Sequence, residues 1–159
     1  MDSAAVRRRV PPQWLINLIN PVVRGMARSP LHGLVDPALL VLHLTGRRTG
    51  RRMDIPVGYL LVDGDLLVTT QHTWRANLRG GADLDVTYRG RRRRVHADLV
   101  DEPVAVAAIL HHAIDQLGWD VARRQLAVGT TDGHAPRPEE LADAARQFDL
   151  AVVMLRFIP

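Results

Sequence analysis

The sequence predicts a protein of the α+β class, mainly β, in which a barrel of about six strands is surrounded by packed helices. Apolar runs of strand length recur along the chain and are separated by turns that contain glycine and aspartate. Segments with helical spacing of apolar residues come before, between and after groups of strands. The stretch Leu150–Phe157 is almost continuously apolar, as expected of a buried closing strand.

The 159 residues are expected to form one domain at residues 12–159, preceded by a flexible basic arm at residues 1–11. Pro12 is placed to open an amphipathic helix that reaches Met26, and Pro21 should kink or divide it. Such a helix could touch a membrane surface, but packing on its own barrel is the commoner arrangement.

The composition limits the chemistry and the location of the protein. The formal net charge is +4, which favours anionic partners. There is no cysteine, and therefore no disulfide or thiolate site. The N-terminus has no apolar signal-peptide core, and no apolar segment reaches the roughly 18 residues that span a bilayer. A soluble cytoplasmic protein without stable membrane insertion is therefore expected.

A hairpin with an arginine-rich loop organises the sequence. Strands are predicted at residues 38–45 and 52–62, joined by the loop Thr45-Gly46-Arg47-Arg48-Thr49-Gly50. Its two glycines can take the positive φ angles of a tight connection. Backbone N–H groups and guanidinium groups would then converge on one small volume, which is the chemistry of an anion site. The alternative is a solvated arginine turn.

The remaining elements follow from turn signals and periodicity. The hairpin at 38–62 is expected to be central in the sheet, with the last strand buried beside it. The other predicted elements are a strand from Leu66 to about His72, a short helix at Trp74–Arg79, strands at Leu84–Tyr88 and Arg91–Val100, and helices at Pro103–Leu117 and Pro138–Phe148.

Two motifs in this order resemble a known family. The loop Thr45–Gly50, Pro56, the turn Asp63-Gly64-Asp65 and Trp74-x-x-Asn77 resemble the deazaflavin-dependent nitroreductase family, with its pattern T-T-G-R-x-S/T-G, a hairpin, and W-Y-x-N-L-x-A-N-P. The resemblance covers about residues 12–100 and the final strand. It implies an FMN-binding-like split β-barrel of the flavin and deazaflavin oxidoreductase superfamily.

The resemblance also implies a cofactor and the residues that hold it. The cofactor would be the deazaflavin coenzyme F420, with FMN as the second choice. The cofactor-binding residues would be Arg47, Arg48, Thr49, Gly50, Arg52, Trp74 and Asn77. The loop residues would hold the phosphate, because arginine binds phosphate bidentately. Trp74 would form a wall beside the ring, and the Asn77 amide would meet a polar ring edge.

The candidate catalytic residues are His72 and Tyr59. His72 closes the third strand two residues before Trp74, and histidine is suited to proton donation. The implied reaction is hydride transfer from reduced deazaflavin to a small electrophile, such as an activated alkene, a quinone or a nitro compound. The substrate would be a small molecule, and the protein would be a monomer or a homodimer.

A second function remains open: a split barrel that has lost the redox cofactor and binds or transforms another small ligand. Two departures from the family pattern favour it. Met53 and Ile55 stand where the family often has a basic and a polar residue. Val68–Thr73 runs straight into Trp74, where family members have a longer loop.

Two further sets of residues, an arginine run and the histidines, could be functional or structural. The run Arg89–Arg94 could engage an acidic cofactor tail or nucleic-acid phosphates, or could form a solvated strand edge. The chain has only two Phe, two Tyr and three Trp, so a stacking platform for bases, and hence a nucleic-acid partner, is not expected. No metal site is expected among the seven histidines, because adjacent His111 and His112 would diverge by about 100° on a helix.

Overall fold

The structure, a computed structural model, describes residues 6–8, 39–125, 128–130 and 134–159. The strands of this part are β1 (Val6–Arg8), β2 (Leu39–Thr45), β3 (Arg52–Gly58), β4 (Leu60–Val62), β5 (Asp65–Thr70), β6 (Ala82–Tyr88), β7 (Arg91–Val100), β8 (Val128–Thr130) and β9 (Ala151–Phe157). The helices are α1 (Pro103–Leu117), α2 (Trp119–Gln125) and α3 (Pro138–Gln147), with a short 3-10 helix at Thr73–Leu78.

One antiparallel sheet of seven strands dominates the described part of the chain, in the order β3-β2-β6-β7-β9-β5-β4. Its two edge strands, β3 and β4, are separated along the chain by Tyr59 alone. A connection of one residue can join the two edges only if the sheet curls until they come close. The result is a split β-barrel, which confirms the predicted fold class.

The core lies on both faces of this curled sheet. Alternate residues of β2, Leu40, Leu42 and Leu44, point into the barrel interior and pack there with apolar residues of the other strands. A second cluster lies between the outer face of β4, β5 and β9 and the helices. Helix α1 buries an apolar stripe that includes Val106 and Leu110 in this cluster. The described helices therefore lie on one side of the barrel.

The predicted position of the hairpin in the sheet was wrong. The strand predicted at 52–62 is two strands, because the chain leaves β3 after Gly58 and enters β4 at Leu60 on the opposite edge. Strands β2 and β3 therefore lie at one end of the sheet. Strand β9 lies between β7 and β5, away from the hairpin. Neighbour order depends on long-range pairing, which the local pattern does not contain.

Most of the other boundaries agree with the prediction to within two residues. Helix α1 spans the predicted residues, and the hairpin of β6 and β7 turns at Arg89-Gly90 as expected. Part of the predicted flexible arm is instead a strand, since Val6–Arg8 pairs with Val128–Thr130. The helix predicted from Pro12 lies outside the described residues. Within the described part, no helix is long and apolar enough to cross a membrane.

Candidate functional site

The loop between β2 and β3 closes through its own hydrogen bonds. The Gly46 N–H donates to the Arg51 carbonyl at 2.8 Å, and the Gly50 N–H donates to the Gly46 carbonyl at 2.9 Å. Gly50 has a φ of 67°, the left-handed region that glycine adopts without strain. A Cβ on Gly46 would lie 2.8 Å from the Thr49 Oγ1 atom. Both glycines are therefore required by the geometry of the loop.

The loop is held against the segment that contains the tryptophan motif. The Arg47 N–H donates to the Asn77 Oδ1 atom at 3.0 Å, although the two residues are 30 positions apart. The Asn77 Nδ2 atom donates to the Trp74 carbonyl at 2.9 Å. The Arg47 guanidinium also reaches the Gly81 carbonyl at 3.5 Å. Asn77 therefore positions the loop, with both ends of its amide bonded within the protein.

Several donors of the loop remain available to an anion. The N–H groups of Arg48 and Thr49 have no hydrogen-bond partner among the described residues. The guanidinium groups of Arg48, Arg51 and Arg52 form no ion pair with any described residue. Backbone donors contribute less than the sequence suggested, because four N–H groups of the loop are used in its own closure and in the bond to Asn77. The arginines supply most of the anion-binding capacity.

A cavity of about 740 Å³ opens beside this loop, on the face of β2, β3, β6 and β7 that is opposite the barrel interior. Its charged lining residues are Arg47, Arg52, Arg92, Arg94, Asp54, Asp83 and Asp85. Leu44, Leu78, Ala82 and Leu84 also border the cavity, but these side chains belong to the interior cluster or pack against it, so the exposed lining is mainly polar. The cavity thus combines cationic groups near the loop with the carboxylates of three aspartates.

Two of these arginines are paired within the cavity wall. Arg92 Nε donates to Asp85 Oδ2 at 2.9 Å, and Arg94 NH1 donates to Asp85 Oδ1 at 3.2 Å. These two hydrogen bonds lower the pKa of Asp85 below its usual value of 3.8. The run Arg89–Arg94 is therefore not a uniform solvated edge, since alternate arginines face the cavity.

The lowered pKa of Asp85 predicts a stability that depends on pH. Ionised Asp85 stabilises the folded state above the unfolded-state pKa, and this contribution is lost as the pH falls through the lower folded-state pKa. The loss of unfolding free energy caused by Asp85→Asn, measured by urea unfolding, should thus be smaller at a pH of about 3 than at neutral pH. A loss that stays constant over this range would contradict the stabilisation of ionised Asp85 by Arg92 and Arg94.

The predicted cofactor-binding residues fall into three groups. Arg47, Arg52 and Asn77 line the cavity, while Arg48, Thr49 and Gly50 belong to the loop beside it. Trp74 is half-buried and packs against the barrel interior instead.

Neither predicted catalytic residue lines this cavity. His72 is exposed just before the 3-10 helix, where its backbone N–H donates to Thr70 Oγ1. Tyr59 is buried between β3 and β4, with its ring 5.5 Å from that of Tyr88. Burial, and then the proximity of Tyr88, raises the pKa of Tyr59. Both residues remain predictions as catalytic groups, and this cavity does not support either.

The histidine on the cavity is His43, which the sequence analysis did not select. Its Nδ1 atom lies 2.7 Å from Asp54 Oδ1, and its Nε2 atom lies 2.7 Å from Thr87 Oγ1. The hairpin register pairs Thr45 with Arg52, and hence His43 with Asp54. Counting back from the loop in the predicted hairpin would therefore have placed this histidine opposite a carboxylate.

No protein-family model and no curated protein matches the chain. Among solved structures, it is similar to an F420 reductase, with 16% identity, 77% of this chain and 88% of that chain covered, and a TM-score of 0.42. It is also similar to a pyridoxamine 5'-phosphate oxidase-related, FMN-binding protein from Nostoc punctiforme, with 13% identity, coverage of 93% and 82%, and a TM-score of 0.40.

A domain-swapped dimer is a third similar structure, with 10% identity, coverage of 92% and 100%, and a TM-score of 0.48. All of these TM-scores lie below 0.5. The assignment of the fold therefore depends on the strand order and on the single-residue link between the sheet edges. The chain is a split β-barrel. This is the fold that the resemblance to flavin and deazaflavin oxidoreductases implied.

Proposed function

We propose that this protein binds a flavin-type cofactor, with coenzyme F420 favoured over FMN, and uses its reduced form to reduce a small electrophile. The hydrogen bond from the Arg47 N–H to Asn77 Oδ1 supports this proposal most directly. It joins the arginine loop and the tryptophan motif, the two segments that resemble the deazaflavin-dependent family, at the edge of one cavity.

The residues present fit the anionic end of such a cofactor. Arg47 and Arg52 line the cavity, and the Arg48 and Thr49 N–H groups beside it have no described partner. Guanidinium groups bind phosphate bidentately and stay charged at all physiological pH values. The cavity volume of about 740 Å³ is of the size that binds cofactors and other small molecules.

The protein's contribution to the reaction is to position the cofactor. When bound, the cofactor supplies the hydride. Asn77 holds the Arg47 backbone through its N–H, and the exposed Arg47 guanidinium lies 3.5 Å from the Gly81 carbonyl. The backbone of this phosphate-binding residue is therefore in place before the ligand arrives. Activated alkenes, quinones and nitro compounds are equally compatible substrates.

A second candidate is a split barrel that binds another small anion without redox chemistry. The position of Trp74 favours it, because this side chain packs on the interior and leaves the cavity without an aromatic wall. Met53 and Ile55 do not distinguish the two functions. Both side chains pack against the barrel interior, so their departure from the family pattern does not alter the cavity.

The test is a titration of the double variant Arg47→Ala/Arg52→Ala with coenzyme F420, followed by its fluorescence. The Kd should rise at least tenfold, because each charge-assisted bond to phosphate is worth about 1.5–3 kcal/mol. The matched control is Arg79→Ala/Arg146→Ala, which removes the same charge from exposed ion pairs outside the cavity. Equal loss of affinity in both double variants would contradict a specific site.

A further inference from the structure

The cavity contains a chain of three side chains that the proposed function does not use. Asp54 on β3, His43 on β2 and Thr87 on β6 lie on one face of three adjacent strands, and both links in this chain are 2.7 Å long. Asp54 stands directly opposite His43, and Thr87 is displaced along β6 by two residues from Asp85, the position opposite His43. The register of the sheet therefore fixes this arrangement.

This chain is shielded from bulk water but open to the cavity. The His43 side chain is 8% exposed and the Asp54 side chain 29% exposed, and Thr87 is buried. His43 and Asp54 both line the cavity. A charge that enters the cavity would consequently act on an imidazole that is itself largely shielded from solvent.

The partners of His43 can accommodate its neutral and its protonated form. An ionised Asp54 carboxylate can only accept, so the Nδ1 atom carries a hydrogen in both forms. In the neutral ring, Nε2 accepts the hydroxyl hydrogen of Thr87. In the protonated ring, Nε2 donates to Thr87 Oγ1, whose hydroxyl hydrogen rotates away. With respect to these two partners, the imidazole can gain a proton without moving any heavy atom.

Among the described residues, the charged groups that line the cavity with His43 come from four segments of its wall. They are Asp54 and Arg52 on β3, Asp83 and Asp85 on β6, Arg92 and Arg94 on β7, and Arg47 in the loop. Asp85 is bonded to Arg92 and Arg94, so its charge is already offset. An anion held by Arg47 and Arg52 would add negative charge beside the imidazole and favour its protonated form.

We propose that the Asp54–His43–Thr87 chain is a proton-holding site coupled to this cavity, which takes up a proton when an anion binds at Arg47 and Arg52. The step is the addition of one proton from the bulk solvent to the His43 Nε2 atom, which gives an imidazolium stabilised by the Asp54 carboxylate and the bound anion. This inference rests on the anion site of the proposed function and does not require a redox reaction. His43 is a positioning residue that stores the proton for chemistry in the cavity.

The test follows the imidazole ¹⁵N shifts of His43 through a pH titration, with sulfate as the probe and chloride at equal ionic strength as the reference. Sulfate is used because its charge is constant through neutral pH. The titration midpoint of His43 should rise in sulfate by about 0.5 pH unit or more. By linkage, the affinity for sulfate should rise as the pH falls. The exposed pair of His112 and Asp63, also 2.7 Å apart, is the internal control and should not shift.

His43→Gln gives the second readout. It should still bind sulfate, but with an affinity that no longer depends on pH near neutrality. Saturable sulfate binding in the wild type with an unshifted His43 midpoint would overturn the proton-holding site and leave the anion site intact. Absence of sulfate binding would overturn the anion site, and the proton coupling with it. The wild-type titration decides between these outcomes even if the variant does not fold.

Discussion

Arg75→Met is expected to lower the free energy of unfolding by about 3 kcal/mol or more, the loss typical of removing a buried charged donor from its partners. Arg75 is buried, and its NH1 atom donates to the Asp149 carbonyl at 2.6 Å and to the Thr70 carbonyl at 3.3 Å. These carbonyls lie at the end of β5 and just before β9, two adjacent strands of the barrel. Methionine fills similar space but cannot donate a hydrogen bond to either carbonyl.

Urea unfolding followed by circular dichroism measures this loss, and Asp149→Asn is its matched control. The Arg75 NH2 atom lies 2.7 Å from Asp149 Oδ1, but the Asp149 side chain is 84% exposed. Removing only this charge should cost about 1 kcal/mol or less. Asparagine also tolerates the positive φ of Asp149, 50°. Equal losses in the two variants would mean that the exposed ion pair, rather than the buried carbonyls, is what Arg75 stabilises.

Trp74→Ala should have the second largest effect, a loss of about 2–4 kcal/mol in unfolding free energy, below the value for a fully buried tryptophan. The side chain is half-buried and packs on the interior cluster. Cofactor affinity should change by less than about threefold, because Trp74 does not line the cavity and its carbonyl still accepts from Asn77.

Trp74 could pack in the barrel interior or lie against the cofactor ring, and thermal melts together with single-turnover rates distinguish these two roles. Trp74→Phe keeps an aromatic ring in the interior and should lose less stability than Trp74→Ala. If Trp74→Ala instead keeps its stability and loses hydride transfer, the indole lies against the cofactor ring. The anchored ring would then have lost its orientation.

Local pattern predicted the elements of the fold well, because each one is specified by its own residues. Helix α1 begins at Pro103 and is capped by Glu102, whose carboxylate accepts from the N–H groups of Val104 and Ala105. The α1 C-terminus is set by Gly118, with a φ of 85°. Signals of this kind lie within a few residues of the boundary that they determine.

The strand order was not predictable in the same way. The segment 52–62 looks like one strand, and only the pairing of Leu60–Val62 with β5 divides it at Tyr59. Such pairing is decided by contacts between residues distant in sequence, which no local signal contains.

Only part of the candidate site was predictable, because some of its contacts also join residues that are distant in sequence. The loop Thr45–Gly50 and Asn77 were found because glycine spacing and motif order are visible in the sequence. His43 was missed because its role depends on two neighbouring strands at once, β3 through Asp54 and β6 through Thr87. Trp74 was assigned to the cavity by resemblance, and its contacts with the interior cluster show that its side chain packs elsewhere.

The most direct test of the proposed function is a fluorescence titration of the wild-type protein with coenzyme F420, repeated in the presence of sulfate. The account predicts saturable binding of one cofactor per chain with a Kd in the range of about 1–100 μM, and competition by sulfate for the phosphate position. No change in cofactor fluorescence at protein concentrations of about 100 μM would contradict cofactor binding. Sulfate binding in the same preparation would then favour the barrel that binds another small anion.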